Sequence, residues 1–184
     1  MQKLLAAFLW CASAWAVADA STPKEAAAPL LTEQEVRNPQ FVAQWLGSAS
    51  PKGDHKSAKW FFSLGLKEKK ARNWSGASKA FGESARRYPS PQALLEHADA
   101  DLKMLGQVRA REGFPPQLVQ GDMAHALGFY EASLAGHGVT KTLSPQELQR
   151  VEQHVSCLKT YLQSSQVPSD CPPATYFSTG QAKK

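Results

Sequence analysis

The densest group of residues that could do chemistry is a run of three carboxylates and one histidine near the middle of the chain. His97 and Asp101 are four residues apart and Glu96 and Asp99 are three apart, so on a helix each pair shares a face. Such residues could bind a metal ion or hydrolyse a glycoside. A metal ion needs three converging ligands, whereas this run divides them between two faces. We therefore expect a solvated helix surface and no metal site.

The other histidines and the known catalytic motifs offer no further site. His55, His125 and His137 are isolated in the sequence, and each is expected at the surface or at the edge of the core. The chain contains no HExxH, GxSxG or CxxC motif and no glycine-rich phosphate loop. His154 and Cys157 could form a base and nucleophile pair, since they are three residues apart. We predict no catalytic residue and no cofactor.

The beginning of the chain has the features of an export signal. Lys3 precedes an apolar run over 4–17, which is shorter than the roughly 20 residues of a membrane-spanning helix. Ala18 and Ala20 are the small residues that a signal peptidase reads. We therefore predict a cleaved signal peptide over 1–20 and a soluble bacterial protein that is periplasmic or secreted.

Export also determines the chemistry of the cysteines. Cleavage removes Cys11 and leaves Cys157 and Cys171, an even pair in an oxidising compartment. We expect these two to form a disulfide. It would close a loop of roughly 15 residues and stabilise the fold by about 3 kcal/mol in the chain-entropy model. An oxidised Cys157 has no thiolate, which argues against a cysteine nucleophile.

Apolar residues recur at helical spacing along most of the remaining chain. Thr32 and Glu35 form a capping-box pattern before a first helix that would carry 36–46, although Pro39 disturbs its first turn. A loop rich in Gly, Ser and Pro follows at 47–53. No run alternates apolar with polar residues as a half-buried strand would. The sequence therefore predicts an all-α fold.

Two helical segments have similar residues at a spacing of 49 positions. The corresponding residues are Ala77 and Ala126, Ala80 and Phe129, Phe81 and Tyr130, and Ser84 and Ser133. Similarity at a fixed spacing is the signature of a repeat protein. We therefore interpret the second segment as a copy of the first.

The pattern resembles the tetratricopeptide and Sel-like helical-pair repeats, which have units of about 34 residues. The matching residues of the first unit are Phe61, Leu64, Gly65, Ala77, Phe81 and Pro89. Those of the second are Asp122, Ala126, Phe129, Tyr130, Ala132, Ser133 and Gly136. The chain departs from the family at Glu68, where an aromatic is usual, at Ser84, where alanine is usual, and at 106–120, which we interpret as an insertion.

The resemblance implies a short stack of helical pairs, and we expect flanking helices to cap its ends. The disulfide predicted from the cysteines would lie near the C-terminus. Ser144, Pro145 and Glu147 begin the last of these helices. The predicted segments are a flexible N-terminal segment (21–31), a helical-repeat domain (32–166) with units at about 58–91 and 92–138, a capping helix (144–164) and a disulfide-tethered tail (167–184).

The net charge of +5 is concentrated in the first unit, where ten basic residues and three acidic ones lie between positions 52 and 87. In such repeats the first helices line a concave groove, and the residues predicted to face it are Lys59, Phe62, Leu66, Lys69, Lys70, Glu96 and Lys103. An apolar pair among lysines suits a protein partner or an acidic peptide. The alternative is that Phe62 and Leu66 pack under the first helix.

These features lead us to expect a binding scaffold or adaptor and not an enzyme. Nucleic acid is not expected as a partner of an exported protein, whereas an anionic surface of the cell envelope is compatible with the charge. Two alternatives stay open. One is an immunity or inhibitor protein that neutralises a toxin or enzyme acting in the periplasm. The other is a cell-wall hydrolase or its activator, which would use Glu96 with Asp99 or Asp101.

Overall fold

The computed structural model describes residues 29–49, 51–109 and 116–165. Within these ranges the fold is all-helical, as predicted, with seven α-helices and no strand. The helices are α1 (Glu33–Val36), α2 (Pro39–Gly47), α3 (His55–Lys70), α4 (Trp74–Arg87), α5 (Pro91–Arg109), α6 (Pro116–Thr140) and α7 (Pro145–Ser164). None of these described helices is both long and apolar enough to cross a membrane.

Some predicted segments lie outside the described residues. They are the signal peptide at 1–20, most of the flexible segment at 21–31, and the tail at 167–184. Cys171 belongs to that tail, so the predicted disulfide stays a prediction.

The helices begin at capping residues that the sequence indicates. Both predicted capping boxes are present, because the side chains of Thr32 and Ser144 each accept from the amide three residues later. Asp54 and Asn73 cap α3 and α4 with their side-chain oxygens. These local hydrogen bonds fix where the chain turns into each helix.

The predicted first helix is wrong in one respect, because the structure divides it into α1 and α2. The side chain of Asn38 accepts from the amide of Phe41 at 3.0 Å, and Pro39 occupies the first position of α2. Proline has no amide hydrogen and fits the first turn of a helix much better than its interior. The chain therefore ends α1 after Val36 and begins a new helix at Pro39.

The predicted insertion at 106–120 is also corrected. α5 continues to Arg109, and α6 already begins at Pro116. Part of the predicted insertion therefore belongs to α5 and α6, which have 19 and 25 residues. Residues 110–115 lie outside the described ranges.

From α3 to α7, each helix packs against the next one in the chain. The two short N-terminal helices run back across this series, so that α1 contacts α4 and α2 contacts α6. α5 is consequently covered on more than one side. The predicted solvated surface on α5 is wrong, because only 8% of Glu96 and 6% of Asp99 are exposed.

The core contains the aromatic residues of the two similar helices. Phe81 of α4 and Phe129 and Tyr130 of α6 are all at most 1% exposed. Gly65 of α3 lies against the ring of Phe81, and a Cβ atom at position 65 would be 2.5 Å from that ring. The absence of a side chain at Gly65 is therefore what allows α3 and α4 to approach this closely.

Candidate functional site

The seven predicted groove residues lie on two helices, and the structure brings part of this set together. Those on α3 are Lys59, Phe62, Leu66, Lys69 and Lys70, and those on α5 are Glu96 and Lys103. Nζ of Lys69 bonds the carboxylate of Glu96 and so joins the two helices. Nζ of Lys103 lies 4.4 Å from the centre of the Trp74 ring. Lys59, Leu66 and Lys70 are exposed.

Phe62 has features of both interpretations that the sequence left open. Its ring centre lies 5.4 Å from that of Phe81, and it packs against the core. It also lines a surface cavity of ≈ 350 Å³ together with Lys59 and Tyr88. One side of the ring therefore contributes to the fold while the other borders the cavity. Leu66 is 45% exposed and does not pack under the helix.

A group of polar and charged residues around two buried carboxylates connects α5 with α6 and α7. Nη2 of Arg150 donates to Glu96 at 3.2 Å, and Nη1 lies 3.6 Å from Oδ2 of Asp99. The hydroxyl of Tyr130 donates to Oδ1 of Asp99 at 2.7 Å. We call these residues, with Lys69, the ion network. Sequence reasoning missed Arg150 and Tyr130 because their partners are 54 and 31 positions away in the chain.

Burial and pairing act against each other in the ion network. Burial by itself would lower the pKa of Arg150, but Asp99 and Glu96 outweigh it and raise that pKa. Burial lowers the pKa of the neighbouring Lys103, although Asp99 opposes the shift. The guanidinium of Arg150 and the ammonium of Lys69 therefore balance the two carboxylates between the helices, and the network has the character of a structural connection.

A second cavity, of ≈ 560 Å³, lies on the other side of α5 and is lined by residues of α1, α4, α5 and α6. Its polar lining residues are Glu33, Arg37, Ser78, His97, Asp101, Asp122 and His125. His97, Asp101 and His125 each offer one ligand atom, and these three atoms lie within 4.8 Å of one another. His125 is isolated in the sequence, but the packing of α6 against α5 brings it to the pair on α5.

Hydrogen bonds determine which atoms of this cluster are available. Nδ1 of His97 donates to the carbonyl oxygen of Ser78 at 2.8 Å, so in the neutral ring Nε2 is the nitrogen with the lone pair. That nitrogen lies 3.5 Å from Oδ2 of Asp101. The hydroxyl of Ser78 donates to the other carboxylate oxygen, Oδ1. Ser78 is therefore not arranged as a nucleophile, because its proton is directed to the aspartate and not to the histidine.

The protonation of His125 follows from its contact with Arg37. Nη1 of Arg37 donates to Nδ1 of His125 at 2.7 Å, and a guanidinium can only donate, so the ring proton is on Nε2. Nε2 lies 3.4 Å from Oε1 of Glu33 and 3.8 Å from Oδ2 of Asp101. Burial lowers the pKa of His125 despite these two carboxylates, and burial raises the pKa of the nearby Asp122.

The carboxylates considered for a hydrolase are not arranged across a cleft. Glu96 and Asp99 are bound to Arg150 in the ion network, and Asp101 accepts from Ser78 on the other side of α5. A glycosidase needs two carboxyl groups on opposite sides of one bond of the substrate. These three residues do not form such a pair.

Comparison of the chain with protein-family models, curated proteins and solved structures finds no match.

Proposed function

We propose that this chain is an exported bacterial scaffold that binds an acidic peptide segment along α3. The observation that carries the proposal is a stripe of four residues on that helix: Lys59, Phe62, Leu66 and Lys70. They follow one another at steps of three or four residues and so share one helix face. Two apolar side chains between two lysines suit a peptide in which apolar anchors are flanked by Asp or Glu.

The charges near the stripe favour an anionic ligand. Lys59 and Lys70 are exposed and available to a ligand, whereas Lys69 is bound to Glu96. Of the three lysines predicted on this face, two can therefore contribute directly to binding. The net charge of +5 adds a longer-range attraction for an acidic partner.

Two equivalent hydrogen bonds support the helical-repeat part of the proposal. The hydroxyl of Ser84 donates to the carbonyl of Ala58 at 2.8 Å, and that of Ser133 donates to the carbonyl of Pro91 at 2.8 Å. In both cases a serine on the second helix of a pair bonds the first turn of the first helix. The serines are 49 positions apart, the spacing that relates the two similar segments. A buried hydrogen bond thus accounts for serine where the family usually has alanine.

We predict that the double change Lys59→Glu and Lys70→Glu weakens peptide binding by at least about tenfold, because it reverses two attractive charges at the ligand. The melting temperature should hardly change, since both lysines are exposed. The measurement is fluorescence anisotropy with a labelled twelve-residue peptide that has two leucines among glutamates. Binding by the unmodified protein should also weaken as the salt concentration rises.

The matched control is the double change Lys79→Glu and Lys141→Glu. Both lysines are exposed outside α3, and this variant has the same net charge as the test variant. Equal losses in the two variants would show unspecific attraction and contradict a site on α3. A third variant, Phe62→Ala, tests the apolar contact at the cavity.

We also propose that a disulfide between Cys157 and Cys171 is part of this architecture. Cys157 is buried on α7, where it is 5% exposed. Loss of a bond that closes a loop of about 15 residues is expected to cost about 3 kcal/mol in the chain-entropy model. We therefore predict that Cys171→Ser lowers the melting temperature while the helix content, measured by circular dichroism, stays the same. Cys171 is the better position for the change because Cys157 belongs to the core.

Thiol titration of the unfolded, unreduced mature protein measures the bond directly. No reactive thiol is expected. Two reactive thiols per chain would contradict the proposal. As a control, the unmodified protein in reductant should melt at the same temperature as Cys171→Ser.

A further inference from the structure

His97, Asp101 and His125 converge in the cavity on the outer side of α5. Glu96, which belongs to the ion network, lies on the other side of the same helix. We propose that these three residues bind a divalent transition-metal ion of the zinc class, with Glu33 as the candidate for a fourth ligand. This inference is independent of the proposed peptide-binding stripe.

Two of the three separations between the ligand atoms are close to those of a zinc site, and all three atoms lie within 4.8 Å of one another. In tetrahedral coordination, metal–ligand bonds of about 2.0–2.1 Å place neighbouring ligand atoms about 3.4 Å apart. Oδ2 of Asp101 lies 3.5 Å from Nε2 of His97 and 3.8 Å from Nε2 of His125. Small side-chain rotations would therefore bring the three atoms within bonding distance of one ion.

Neighbouring groups already orient two of the ligands. His97 donates its Nδ1 hydrogen to the carbonyl of Ser78, which leaves Nε2 as the ligand atom, 3.5 Å from Oδ2 of Asp101. Asp101 accepts from the Ser78 hydroxyl through Oδ1 and so presents Oδ2. Histidine ligands of metals almost always donate their second nitrogen in this way, because the bond fixes the tautomer and the ring orientation.

The charge of the cavity also favours a cation. Among the residues that the structure describes, its lining includes the carboxylates of Glu33, Asp101 and Asp122 and the guanidinium of Arg37. Imidazole nitrogen combined with carboxylate oxygen suits zinc and its transition-metal neighbours, whereas calcium and magnesium prefer oxygen alone. The ligand set therefore selects the zinc class among divalent ions.

Arg37 competes with the metal ion for His125. A metal ion on Nε2 of His125 requires the ring proton on Nδ1, the atom to which Arg37 now donates. Binding must therefore break this contact and move the proton from Nε2 to Nδ1. A glutamine at position 37 would carry no charge, and its side-chain oxygen could accept the Nδ1 hydrogen. The residue at position 37 would thus accept a hydrogen bond from the metal-bound ring of His125 and would no longer compete with the metal ion.

The test is a titration of the metal-free mature protein, without a polyhistidine tag, with Zn²⁺ in a calorimeter. The unmodified protein is expected to bind about one Zn²⁺ per chain. His125→Gln should weaken binding at least about a hundredfold, and Arg37→Gln should strengthen it about tenfold. His55→Gln is the matched control, because this exposed histidine lies outside the cluster, and it should bind as the unmodified protein does.

Two results would overturn the proposal. One is the lack of saturable Zn²⁺ binding by the unmodified protein, and the other is binding that survives the double change His97→Gln and His125→Gln. If circular dichroism shows that a histidine variant is unfolded, the site is tested instead by the visible absorption spectrum of Co²⁺ bound to the unmodified protein. The visible absorption of a four-coordinate ion is expected, and a six-coordinate spectrum would contradict the site. Arg37→Gln that fails to strengthen binding would contradict His125 as a ligand.

Discussion

Phe81→Ala is expected to lower the free energy of unfolding by about 3 to 5 kcal/mol, the range for removing a buried phenylalanine ring. The ring of Phe81 is fully buried and contacts Phe62 and Gly65 of α3. Because it fills the contact between α3 and α4, its loss leaves a cavity that neither helix can close without moving. Urea unfolding followed by circular dichroism measures the change. Phe61→Ala is the matched control and should cost less, since Phe61 is only half-buried.

Gly65→Ala tests the same contact from the other helix. Its Cβ atom would be 2.5 Å from the ring of Phe81, and such overpacking costs about 1 to 3 kcal/mol. The clash disappears when the ring is absent. The double variant should therefore lose less stability than the sum of the two single variants. Strict additivity would show that Gly65 and Phe81 are not in contact and would contradict this packing.

Asp99→Ala is expected to lower the free energy of unfolding by about 2 to 4 kcal/mol. Asp99 is 6% exposed, accepts from the hydroxyl of Tyr130 and lies beside the guanidinium of Arg150. Its removal takes one of two carboxylates from the half-buried guanidinium of Arg150. The expected loss of stability is smaller than that for removing every carboxylate partner of Arg150, because Arg150 keeps its bond to Glu96.

Urea unfolding of two further variants shows how the effect of Asp99→Ala is to be interpreted. Asp99→Asn keeps an acceptor for Tyr130 but removes the charge, so it should cost less than Asp99→Ala. Glu152→Ala removes an exposed carboxylate from α7 and is expected to change stability by no more than about 0.5 kcal/mol. A loss in Asp99→Ala as small as that in Glu152→Ala would contradict a stabilising role of the ion network.

Local features of the fold could be predicted from the sequence, because they depend on neighbouring residues. The capping boxes at Thr32 and Ser144 need only residues three positions apart. At Pro39 the sequence indicated only a disturbed first turn. The helix ends there because the side chain of Asn38 caps a new helix, and this choice depends on more than the residue types. The extension of α5 and α6 into the predicted insertion was missed because 106–120 was interpreted as additional to a repeat unit of about 34 residues.

The candidate sites could be predicted only in part, since they combine residues from distant helices. The spacing of His97 and Asp101 was recognised, but nothing in the sequence places His125 beside them. Their metal-binding potential was rejected because the run at 96–101 divides its possible ligands between two faces of one helix. In the structure both polar faces of α5 pack against other helices. Residues of those helices, such as Arg150, pair with the carboxylates of α5. Periodicity within one helix cannot reveal partners of this kind.

The two short helices at the beginning of the described chain affect how the protein folds. Val36 and Val42 belong to the same core cluster as Met123 and Phe129, and Arg37 contacts a residue 88 positions later. A stack in which each pair contacts only its neighbours can unfold one unit at a time. Contacts between such distant positions require the closure of a large loop, which slows folding. They also link both helical pairs in one cooperative transition, so forms with a single unfolded pair are disfavoured.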